Sequence, residues 1–155
     1  MGLVSKACLL TIILLPAMLL ASLVGSASEN QSLFLNVYVG DVAAEKALVV
    51  GYDDNPEGLP FFNATKDLYE DGQLYAVTES LLYRDGQDLR LEFPVKGYYD
   101  EYHVVFYIPG EIELTEISCS QGIEFLSSIY DGSLVLDLQG FDLTDPVVSL
   151  DYKAS

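Results

Sequence analysis

The chain has 155 residues, with 24 Asp or Glu against seven Lys or Arg, a formal net charge of -17, and 50% hydrophobic residues. A surface this acidic repels phosphate backbones and anionic lipid headgroups, which argues against nucleic acid and against peripheral binding to an anionic membrane. Cations, basic proteins and neutral glycans are the partners it leaves, although the acidity also serves plain solubility outside the cell.

At the N-terminus one basic residue, Lys6, precedes an uncharged run from Ala7 to Val24 broken only by Thr11, Pro16 and Ser22. A run of this length sits at the short end for a helix that must cross roughly 30 Å of hydrocarbon, and Pro16 weakens it further. Small residues follow at Gly25-Ser26-Ala27, then the polar stretch Ser28-Glu29-Asn30-Gln31-Ser32. This order predicts a signal peptide over residues 1–27 and a mature chain from Ser28, with an uncleaved anchor helix as the alternative. Both place the rest of the chain outside the cytoplasmic membrane, secreted or at the cell surface. Cys8 precedes the apolar run instead of following it, so no lipid anchor is expected.

Loss of Cys8 and Lys6 with the leader leaves Cys119 as the one thiol and a net charge of -18. No internal disulfide can then form, and the fold must rest on its core. Residues 28–155 are enough for a single domain that does so, because chains of that size bury about two thirds of their unfolded surface. Two sequons, Asn30-Gln31-Ser32 and Asn63-Ala64-Thr65, make Asn30 and Asn63 the glycosylation candidates of an exported chain.

Along the mature chain the dominant period is two. Leu33, Leu35, Val37 and Val39 alternate with Phe34, Asn36 and Tyr38, which turns one face of a strand inward. Ala47 to Tyr52 is a short β-prone run. In the stretch 73–83, Leu74, Val77, Leu81 and Leu82 satisfy helical spacing as well, so a short helix or a pair of strands is expected there, with strands preferred. Leu89, Leu91 and Phe93 alternate with Arg90 and Glu92, and Tyr102 to Ile108 is apolar on both faces, as in a central strand. Ile112 to Ile117, Ile123 to Phe125, Leu134 to Leu138 and Val147 to Tyr152 supply the rest. Asp85-Gly86 and Asp131-Gly132 are hairpin dipeptides between such runs. Seven to nine short strands with frequent turns predict an all-β, antiparallel sandwich.

The stretches "GYYDEYHVVFYIPGEIELTEI" (97–117) and "GFDLTDPVVSLDY" (140–152) resemble the closing strands of immunoglobulin-like sandwich domains of archaeal cell-envelope and membrane-anchored proteins. The resemblance is confined to the C-terminal half. It implies an immunoglobulin-like fold and an envelope location, and it carries over no functional residue.

Chemistry narrows by elimination. His103 is the one histidine, too few for a cupredoxin copper site or a zinc enzyme. Cys119 with His103 would be the remaining nucleophilic pair, but His103 lies inside an apolar strand and no motif surrounds Cys119; a His packed at a sheet face and a partly buried thiol are expected instead. No catalytic or cofactor-binding residue is expected. The densest oxygen cluster is Asp53, Asp54, Asn55 and Glu57 in "GYDDNPEGLP", where calcium is the natural ion. The spacing matches no EF-hand, and a solvated turn is the alternative. Tyr98, Tyr99 and Tyr102 offer a possible recognition surface, because tyrosine is rigid and amphipathic.

The expected function is a non-enzymatic binding or structural module of the cell envelope, with an envelope protein or a neutral glycan as partner. The alternative is an extracellular sensor or accessory domain held by its N-terminal helix. A secreted glycan-active enzyme using two of the many carboxylates is the distant third.

Overall fold

The computed structural model describes residues 30–40, 45–86, 88–110 and 112–154, so the predicted leader and its cleavage site lie outside the described residues. Among these residues eleven strands form: β1 (Ser32–Val39), β2 (Ala47–Asp53), β3 (Leu68–Glu70), β4 (Gln73–Thr78), β5 (Leu82–Asp85), β6 (Asp88–Pro94), β7 (Tyr98–Pro109), β8 (Ile112–Cys119), β9 (Ile123–Tyr130), β10 (Ser133–Thr144) and β11 (Val147–Ala154). A 3-10 turn over Pro56–Gly58 interrupts them. The strands make a seven-stranded sheet in the order β3-β4-β2-β1-β7-β10-β9 and a four-stranded sheet in the order β5-β6-β11-β8. Every ladder is antiparallel except β1 against β7, which is parallel.

The two sheets share one core, as their alternation requires. Along β1, Leu33, Leu35, Val37 and Val39 are buried while Phe34 and Tyr38 are exposed. The central strand β7 buries Tyr102, Val104, Phe106 and Ile108, and across the layer β6 offers Leu89, Leu91 and Phe93. Phe93 and Phe106 meet edge to face with ring centroids 5.6 Å apart. Each such side chain contributes about 1.5–3 kcal/mol by leaving water.

Both predicted hairpins form. Asp131 (φ 48°) and Gly132 (φ 74°) join β9 to β10 with Tyr130 opposite Ser133, a two-residue turn with both φ values positive. Asp85-Gly86 leads from β5 into β6. Asp71-Gly72 closes a third hairpin, β3 to β4, with φ values of 48° and 81°. The ambiguous stretch 73–83 holds β4 and the start of β5. Its helical spacing is accidental, because Leu74 is buried and Val77 exposed on opposite faces of β4. The strand count exceeds the expected seven to nine because β3 and β5 span only three and four residues, too few for alternation to register.

Candidate recognition surface

Side chains that turn away from the core must line the outer face of each sheet, and the two outer faces differ in kind. On the larger sheet the register sets Val77 beside Leu48, Leu48 beside Tyr38, Tyr38 beside Tyr107 and Tyr107 beside Val135. This uncharged apolar row crosses five strands. The next row runs Tyr75, Val50, Asn36, Val105, Asp137. Val77 is 55%, Tyr75 49% and Tyr38 41% exposed. The seven strands of this sheet contain no Lys or Arg.

The Tyr38 and Tyr107 rings stack at 4.6 Å and 11°, close to the spacing of neighbouring strands. Stacking takes one face of each ring. Burial, then the neighbouring Tyr38 and Asp137, raises the Tyr107 phenol above its ordinary pKa, so its hydroxyl stays a neutral donor. It reaches Asn36 Oδ1 at 3.4 Å. Below this ladder His103 Nε2 lies 2.9 Å from Asp137 Oδ1, and its ring meets Phe34 edge on at 6.2 Å.

The smaller sheet turns a wet face outward. Arg90 clasps Asp151 with Nε to Oδ1 at 2.6 Å and Nη2 to Oδ2 at 3.0 Å, and Lys153 Nζ lies 3.5 Å from Asp88. An open depression of about 530 Å³ there is lined by Tyr83, Arg84, Arg90, Glu116, Asp151 and Lys153 among others. Its cations already have carboxylate partners, Arg84 pairing with Glu45 at 2.8 Å. Nothing in it calls for a ligand.

The residues singled out from sequence fall elsewhere. Of the tyrosine cluster, Tyr99 and Tyr102 are fully buried, so they build the core and present no surface. Only Tyr98 reaches solvent, and its hydroxyl donates to Asp142 Oδ1 at 2.7 Å, which raises its pKa to about 12. The period of two accounts for Tyr102, which shares the inner side with Val104, whereas Tyr99, three residues earlier, is buried out of phase with that alternation.

The four candidate calcium ligands are dispersed. Asp53 ends β2 pointing inward with no exposed surface, and its Oδ1 accepts the Asn55 N–H at 2.9 Å. Its Oδ2 has no hydrogen-bond partner among the described residues. Burial is the main cause that lifts its pKa to about 6. The neighbouring Tyr99 phenol is pushed up in turn, first by burial and then by the Asp53 charge. Asp54 points outward, where Oδ2 accepts the Ser32 N–H at 2.9 Å and Oδ1 accepts the Tyr52 hydroxyl. Asn55 is half-buried and Glu57 exposed on the 3-10 turn. No group of three or more His, Cys, Asp or Glu side chains among the described residues is placed to hold a metal ion.

His103 and Cys119 lie on opposite sides of the larger sheet. His103 is on its outer face, and Cys119 sits opposite Val148 in the smaller sheet, facing the core. The expected packing of His103 at a sheet face holds, but the face is the outer one and the ring is not buried. Asn30 and Asn63 are both exposed. Asn63 Oδ1 also accepts from the Thr65 N–H at 3.0 Å and the Thr65 hydroxyl at 2.6 Å, which fixes the sequon in a turn. The outer row through Tyr38 and Tyr107 was not singled out from sequence. Its signal was the two-sided apolarity of β1 and β7. Searches against protein-family models and curated proteins give no match to this chain.

Proposed function

We propose that the chain is an exported, non-enzymatic binding or structural module of the cell envelope, with an immunoglobulin-like sandwich as its scaffold. The outer face of the seven-stranded sheet is its recognition surface. The observation that carries this reading is the asymmetry of the two outer faces. An antiparallel sheet with one solvated face ordinarily alternates apolar inward with polar outward, as the smaller sheet does. The larger sheet instead keeps an uncharged row through Val77, Leu48, Tyr38, Tyr107 and Val135 outside the core. Contiguous exposed apolar surface of this kind marks an interaction site.

Between the two partner classes, the ring geometry favours a protein over a glycan. A sugar ring stacks on an open aromatic face, whereas Tyr38 and Tyr107 each give one face to the other and have Leu48 and Val135 as their further neighbours in the row. A continuous row of aromatic and aliphatic side chains suits another protein surface, where tyrosine is a common anchor. Sheet strands without Lys or Arg keep the face free of cationic repulsion toward a basic or neutral protein.

The test is to replace Tyr107 with Lys, full chain, in the producing cell and to follow the protein between envelope and medium. Tyr107 is half-buried on the outer face, so the thermal transition should stay within a few degrees of the parent. Release of the variant into the medium, with the parent retained, supports the reading. Equal retention of the two proteins overturns it.

A further inference from the structure

A sheet edge exposes unpaired N–H and C=O groups, and proteins protect edges by making them short, charged, bulged or covered. Three of the four edges here carry such devices. β3 has three residues, and β5 has four and includes Arg84 and Asp85. β8 carries Glu113 and Glu116, and its register against β11 shifts at Asp151/Tyr152.

The fourth edge, β9, has none of them. It spans eight residues, pairs with β10 in unbroken register from Ile123 to Tyr130, and contains no Pro, Lys or Arg and one charge, Glu124. Beyond Ile123, which is buried, it is also bare on both faces. Phe125 (44%) and Ile129 (73%) are exposed on the inner side, and Leu126 (76%) and Tyr130 (74%) on the outer side. The cause is geometric, because four strands cannot cover the width of seven.

We infer that β9 is a strand-pairing interface and that its occupant is β9 of a second copy of this chain. The strand is self-complementary about a two-fold axis through Ser127 perpendicular to the sheet. Antiparallel pairing on that axis sets Phe125 opposite Ile129 twice, Leu126 opposite Ser128, and Glu124 opposite Tyr130. Each pair shares a face, as cross-strand neighbours must, and aromatic against β-branched pairs stabilise a ladder. No carboxylate meets its own copy. Moving the axis by one residue sets Phe125 against Ser127 or Asp131 and loses both Phe125–Ile129 pairs. The resulting contact is isologous and closes at two copies, joining the larger sheets into one of fourteen strands. The copies carry a formal charge of -17 each, so salt strengthens their pairing, whereas it weakens the docking of a basic strand.

The test uses the full chain, as the producing cell matures it, in sedimentation equilibrium over a range of concentration and NaCl. The expected result is a monomer–dimer equilibrium that tightens with salt. Ile129→Lys, at an exposed side chain, should leave the thermal transition in place and weaken dimerisation by about tenfold or more. Tyr38→Lys, on the outer face, should leave it unchanged. With Cys8 and Cys119 changed to Ser, Ser127→Cys should form an intermolecular disulfide under mild oxidation, because the two-fold places these residues opposite each other. A monomer at every concentration and salt overturns the proposal. So does a dimer that Tyr38→Lys disrupts and Ile129→Lys does not, or a Ser127→Cys chain that stays uncrosslinked while dimeric.

Discussion

Asp53 shows how one residue can be placed against its own charge. Its side chain has no exposed surface, and burial raises its pKa from the ordinary 3.8 to about 6. The native state therefore binds more protons than the unfolded chain between those two values. The stability linked to protonated Asp53 is complete below about pH 4 and is lost as the pH rises through about 6. Asp53→Asn keeps an oxygen to accept the Asn55 N–H and removes the buried charge. A shift of this size corresponds to at most about 3 kcal/mol, of which local relaxation leaves about 1–2 kcal/mol. Urea unfolding at pH 7 should show the variant more stable by that amount, with the difference gone at pH 4. A variant less stable than the parent at pH 7 would mean that Asp53 is ionised and compensated by a partner.

At the scale of elements, two glycines show why the same substitution costs differently in a ladder and in a turn. Gly51 in β2 lies opposite Leu35 of β1 at φ 149°, and a Cβ there would fall 2.0 Å from the Phe34 carbonyl oxygen. That oxygen belongs to the backbone of β1 and cannot move without breaking the ladder. Gly132 in the β9–β10 turn has φ 74° and open space around a would-be Cβ. Gly132→Ala therefore carries only the left-handed backbone cost of about 1 kcal/mol. Gly51→Ala should cost about 3 kcal/mol or more, because the β1–β2 pairing must shift. Denaturant midpoints of the two variants check the ranking. The β1–β2 ladder also carries Leu48 and Tyr38, so Gly51→Ala should disturb the outer face that Gly132→Ala leaves intact.

For the whole molecule, the net charge of -17 acts against compactness through self-repulsion. Raising NaCl from about 0.01 to 1 M shortens the screening length from about 30 Å to about 3 Å. The melting temperature should rise by about 3–5 °C over that range, in proportion to the repulsion removed. Chelator and reductant at fixed ionic strength should leave it within about 1 °C, since the core joins two sheets through side chains such as Phe93 and Phe106. A chelator-induced drop abolished by Asp54→Ala would show that the loop after β2 takes up an ion after all.

What the sequence determined by itself was the local physics. Alternation at Leu33 to Val39 and at Leu89 to Phe93, and turn chemistry at Asp85-Gly86 and Asp131-Gly132, set the all-β class, because strand period and positive φ are properties of a few adjacent residues. The two-sided apolarity of Tyr102 to Ile108 likewise marked the central strand. What only the tertiary structure decided was which face is inner and what lies beside what. It turned Tyr99, Tyr102 and Asp53 inward and His103 outward, and of these only Tyr102 and His103 lie in a run legible as a strand from sequence. It also set Tyr38 beside Tyr107 through a parallel pairing of β1 with β7 that no periodicity encodes. The four-stranded layer left β9, the edge of the sheet of seven, uncovered. Each of these outcomes depends on pairing between distant segments, where the gain from burying one face is summed over the whole sheet and cannot be read residue by residue.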